Sequence, residues 1–78
     1  MLYERIVDII SRQFEIDADR IRPETSFIDD LGADSLDIVE LTMDMETEFD
    51  LPEVPEEELR KLVTVGDLVE YVSRFVQD

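Results

Sequence analysis

Cysteine and histidine are both absent from the 78 residues. Without cysteine there is no disulfide framework, no thiol nucleophile and no thiolate metal site. Without histidine the usual general base and the commonest transition-metal ligand are missing too. Basic residues are scarce: seven stand against 22 acids, for a formal net charge of −15. None of the seven falls between Pro23 and Leu59, a window that holds fourteen acids. Such a field repels nucleic acid and anionic membrane surfaces, so it favours partners with basic patches. A long apolar run is also lacking. The opening MLYERIVDIISRQF alternates charged and apolar residues at helical spacing, which fits neither a signal peptide nor a membrane span. The expectation is a cytoplasmic, monomeric protein with no membrane insertion, no metal site and no catalytic residues.

What is present argues for a folded chain. Hydrophobic residues make up 44% and recur periodically, which outweighs the pull of the net charge toward disorder. One small domain, 1–78, is expected, near the size at which a single core is only just sufficient.

Tyr3, Ile6, Val7, Ile10 and Phe14 repeat at helical intervals, so the spacing predicts a first amphipathic helix ending near Glu15. Asp8 and Arg12 are placed for i,i+4 pairing on its outer side. Residues 16–34 hold no long periodic segment, and Pro23 blocks a continuous helix. Asp17 and Asp19 can cap a short turn around Ile21, and Thr25 another around Phe27 and Ile28. A second helix is expected from about Ser35 to Phe49. Pro52 and Pro55 then mark a loop, Glu56 to Leu62 reads as a short third helix, and Thr64 with Asp67 opens a last one in a near-capping-box arrangement. The whole is an all-α four-helix bundle with three longer helices, a short third helix and a long loop between the first and second.

The second helix carries more than a bundle requires. At about 100° per residue, Ile38, Leu41, Met45 and Phe49 share one side. Leu36, Val39 and Met43 share a roughly opposite side, and Asp37, Glu40, Asp44 and Glu48 form an acidic strip between them. One apolar stripe suffices to enter a core. A second, rimmed by acids, suits a protein-docking face, and Met43 is an adaptable residue for several partners.

Ser35 stands at the tip of that helix. As a nucleophile it has no histidine to take its proton, and Gly32-Ala33-Asp34-Ser35-Leu36 is not a G-x-S-x-G elbow. An EF-hand aligned on Gly32 puts Phe27 and Leu31 at ligand positions, and a phosphate-binding loop needs more glycines and a lysine. From spacing alone, a helix N-cap is the better reading of this serine.

Asp30-Leu31-Gly32-Ala33-Asp34-Ser35-Leu36 also resembles the attachment motif D-L-G-x-D-S-L of the acyl carrier protein family. The likeness spans nearly the whole chain, including Pro23 to Phe27, Asp37 to Phe49, Pro55 to Glu58 and Thr64-Val65. The resemblance implies that Ser35 is esterified to 4′-phosphopantetheine, donated by coenzyme A through a holo-carrier synthase (a phosphopantetheinyl transferase). It implies a phosphoprotein that is not an enzyme and that carries growing fatty acyl chains as thioesters among fatty acid synthesis enzymes with basic docking patches. Asp34, Asp37, Glu40 and Glu46 match the family's acids for partner lysines and arginines, and Leu36, Val39 and Met43 match the apolar contacts between them. Phe27, Ile28, Met45, Leu59 and Leu62 are the expected lining of an acyl-chain cavity. Two departures bear on that cavity. Leu59 stands where many relatives have a smaller alanine, and the loop from Asp50 to Val54 is one residue longer than usual. The alternatives are a carrier for polyketide or another dedicated acyl or aminoacyl pathway, or an acidic helical interaction module that carries nothing.

Overall fold

A computed structural model describes residues 1–76 of the chain. Among them are four α-helices: α1 (Leu2–Phe14), α2 (Ser35–Phe49), α3 (Glu56–Leu59) and α4 (Val65–Ser73), with a 3-10 turn at Ala18–Arg20. None is long and apolar enough to cross a membrane.

The apolar periodicity of α1 buries Leu2, Ile6, Val7 and Ile10, and Asp8 pairs with Arg12 at 3.0 Å on its outer face. Glu15 ends the helix in the left-handed region at φ 56°. There the Ile16 N–H turns back to the Ser11 carbonyl, and the Ser11 hydroxyl donates to the Ile16 carbonyl. These bonds satisfy carbonyls that a helix end leaves without partners. Asp50 ends α2 in the same way at φ 54°, with both its own N–H and that of Leu51 donating to Glu46 O.

The long connection between α1 and α2 is stapled to the entrance of α4 by backbone bonds. Phe27 N–H donates to Val63 O at 3.0 Å, Val65 N–H to Thr25 O at 2.9 Å, and Gly66 N–H to Pro23 O at 2.7 Å. A Cβ at Gly66 would stand 3.0 Å from that same Pro23 oxygen, so the close approach depends on the missing side chain. Ile21 and Phe27 are thereby pinned in the core beside Leu41, Met45, Val65, Leu68 and Val72.

Capping differs from the sequence expectation in this connection. Thr25 is buried, and its hydroxyl accepts from Arg22 N–H, closing the preceding turn. Ser26 takes the cap instead, accepting from Asp29 N–H at 3.1 Å while its own N–H donates to Asp30 Oδ2 at 2.7 Å. Asp17 precedes the 3-10 turn without a side-chain capping bond.

α3 ends at Leu59, short of the expected Leu62. Lys61 and Leu62 donate three residues back, to Glu58 O and Leu59 O, so the chain tightens instead of adding an α-turn. Glu58 on α3 meets Arg74, just past α4, at 3.4 Å, and the Arg74 guanidinium lies 5.6 Å from the ring centre of Tyr71. Tyr71 is buried, and burial, followed by the nearby Glu58 charge, pushes its phenol above the usual 10.0 against the opposing Arg74. The predicted capping box of α4 is present: Thr64 accepts from Asp67 N–H at 3.1 Å, and Asp67 from Thr64 N–H at 3.0 Å.

Candidate functional site

The site is built where the loop enters α2. Ala33 N–H donates to Phe27 O at 2.9 Å, which folds the loop onto itself, and Gly32 makes the turn at φ 68°. A side chain would be strained at that backbone angle. The chain then reaches Asp34 in an extended conformation, and Asp34, not Ser35, caps the helix. Its Oδ1 accepts from Asp37 N–H at 2.9 Å, while Asp37 Oδ2 accepts from Asp34 N–H at 3.1 Å.

This corrects the N-cap reading of the serine. An aspartate capping box already satisfies the third N–H of the helix, so Ser35 becomes its first residue. Its side chain is exposed, and no hydrogen bond engages its hydroxyl among the described residues. The first N–H groups of a helix have no internal acceptor, so the hydroxyl stands beside free donors at the positive end of α2.

Beside Ser35 opens a cleft of about 370 Å³, lined by Ile28, Ile38, Val39, Leu59, Leu62 and Val63, with Glu56 and Arg60 completing it. Of the five residues expected around an acyl chain, Ile28, Leu59 and Leu62 are brought together here. Phe27 and Met45 are each 1% exposed in the core and do not line the cleft. Ile28 lines it while remaining largely exposed. Ile38 and Val63 complete the wall beyond the residues expected from the sequence. Ile38 follows Ser35 by three positions on the same helix side, a signal that was available. Val63 is placed by the Phe27–Val63 backbone bond, and that pairing has no local signature.

The two-sidedness of α2 is real. Leu41, Met45 and Thr42 are buried, whereas Leu36 is 65%, Met43 57% and Val39 36% exposed. Ile28 and Val63 are also exposed, so the apolar surface around Ser35 extends beyond α2 to the loop before it and to the segment between α3 and α4. Glu40 is exposed beside it, and it lines a groove against α1 together with Asp44 and Glu48. Glu46 is half-buried and accepts from Val54 N–H at 3.3 Å, which holds the following loop against the helix.

The arrangement offers a free primary alcohol on a rigid helix, an apolar cleft next to it and an acidic, partly apolar surface around it. It offers no histidine to activate that alcohol.

Comparison with known proteins agrees with this chemistry. A family described as "Phosphopantetheine attachment site" matches residues 4–72. An acyl carrier protein of Clostridium acetobutylicum is 54% identical over 78 residues, covering all of both chains. One of Bdellovibrio bacteriovorus is 53% identical over 73 residues, covering 94% of this chain and 92% of the relative. The solved structure of the acyl carrier protein from Enterococcus faecalis superposes with a TM-score of 0.79 at 33% identity, covering 94% of this chain and 91% of the other. On fold, sequence and length alike, the chain belongs to the acyl carrier protein family, with covalent 4′-phosphopantetheine as its prosthetic group and no catalysis of its own.

Proposed function

We propose that Ser35 is the point of attachment and that the chain shuttles growing fatty acyl groups among the enzymes of fatty acid synthesis. The observation that carries this reading is the free, exposed hydroxyl of Ser35 at the first position of α2, released from capping by Asp34. The residues present fit the group. A phosphodiester formed there meets unpaired helix N–H groups and the positive end of the dipole. The apolar cleft beside it suits the arm or the start of an acyl chain. When bound, the arm supplies a terminal thiol that takes acyl groups as thioesters, which a chain without cysteine cannot do for itself.

The chain's own residues position and advertise that arm. Asp34 and Asp37 oppose a phosphate electrostatically, so beyond holding the helix end they act as signals to a basic enzyme surface. With Glu40 and Glu46 they form the charged part of the docking face, and Leu36, Val39 and Met43 the apolar part. Attraction of this kind steers fast encounter without tight residence, as a shuttle requires. The first partner is the phosphopantetheinyl transferase that loads the serine. Asp34 before the serine and the unbroken acidity of α2 favour fatty acid synthesis over polyketide assembly.

Co-expression with a phosphopantetheinyl transferase and coenzyme A, followed by intact-mass measurement, tests the attachment. The wild type gains one pantetheine adduct and Ser35→Ala gains none. If no adduct appears, or if Ser35→Ala is modified equally well, the reading is wrong.

A further inference from the structure

The Ser35 cleft holds one basic residue among the described residues, Arg60, which follows directly on the stretch from Pro23 to Leu59 that has no lysine or arginine. Its neighbour Lys61 faces elsewhere. Lys61 lies 3.4 Å from Glu58, within a separate hollow that Tyr71 and Arg74 also line. The two adjacent cations after Leu59 thus line different hollows, Arg60 the serine's cleft and Lys61 the other. Arg60 is highly exposed, with Nη2 3.2 Å from Glu56 Oε1, and Glu56 lines the same cleft. That pair is a solvated i,i+4 contact of the kind that holds weakly and exchanges readily.

We propose that Arg60 is a positioning residue for the phosphodiester of the arm: it leaves Glu56, pairs with the phosphate on Ser35 and thereby lays the arm along the cleft. The inference rests on Ser35 being the attachment point. Its physical basis is an imbalance of charge. A phosphate on Ser35 lies next to Asp34 and Asp37, which repel it, and the free helix N–H groups offset only part of that. A guanidinium lining the same cleft supplies a countercharge, and its planar fork can take two phosphate oxygens at once. No covalent step is involved.

The test uses the loaded protein, in which only the arm carries phosphorus, so a partly loaded sample still reports cleanly. The 31P resonance is recorded for wild type, Arg60→Gln, Arg60→Lys and Lys61→Gln, after intact mass has shown the adduct. In parallel, the Arg60 Nε–Hε resonance is followed from the unloaded to the loaded wild type. The inference expects Arg60→Gln to displace the 31P resonance and to remove its dependence on added salt. Arg60→Lys should restore the salt dependence, Lys61→Gln should leave both as in the wild type, and the Arg60 Nε–Hε signal should move on loading. Identical 31P behaviour in Arg60→Gln and Lys61→Gln, or an unmoved Nε–Hε signal, overturns it. If no adduct forms on any of the four proteins, the attachment reading fails first and this inference falls with it. Arg60→Gln removes only an exposed pair, and the amide spectra of the unloaded proteins confirm that its fold is kept.

Discussion

Ser35 and Asp34 show how much one position matters. Both residue types are good caps, and spacing alone assigned the role to Ser35. In the structure Asp34 holds the box with Asp37, and Ser35 is left with a free hydroxyl. The two roles separate in a stability measurement. Asp34→Ala loses the side-chain half of the box and should cost about 1 kcal/mol in urea unfolding. Ser35→Ala should stay within about 0.5 kcal/mol of wild type, because its hydroxyl holds nothing. Equal losses would return the serine to a capping role. Residues thus divide into those legible from chemistry, such as a serine with no histidine to activate it, and those decided by a neighbour's geometry.

At the scale of elements, α2 was legible almost to the residue. Its bounds of Ser35–Phe49 and its two apolar faces follow from period and composition alone. α3 was legible in its existence and its start at Glu56 but not in its end, because a chain that closes with three-residue-back bonds has no helical period to read. The acidic strip of α2 carries the docking prediction. Glu40→Lys should weaken binding to a basic-surfaced partner enzyme by on the order of tenfold at fixed moderate salt, mainly through slower association. Glu4→Lys changes net charge equally but lies on α1, and its effect should be small by comparison. Equal losses in a titration would mean that total charge matters and the face does not.

The whole molecule is small for its charge: a net −15 sits in a body of 27 × 26 × 19 Å. At 0.01 M salt the Debye length is about 30 Å, so most carboxylates repel one another across the full width; at 0.15 M it is about 8 Å. Thermal unfolding should therefore move upward between these conditions. Relief of about 1 kcal/mol of self-repulsion corresponds to roughly 4–8 °C for a chain of this size. A Tm that is flat or falls with added sodium chloride would show that the surface pairs, such as Arg5–Glu48 at 3.7 Å, already balance the field.

Sequence by itself determined the helices α1, α2 and α4, the apolar stripes of α1 and α2, and the concentration of acid around Ser35. These are local or compositional properties, encoded in spacing, capping residues and charge. Only the tertiary structure decided that Phe27 enters the core while Ile28 faces the cleft, since that depends on backbone bonds from Thr25 and Phe27 to residues nearly forty positions away. It likewise decided that Val63 and Arg60 share a cleft with Ser35. Contacts across that much chain are set by how the bundle closes, and no window of sequence contains both partners.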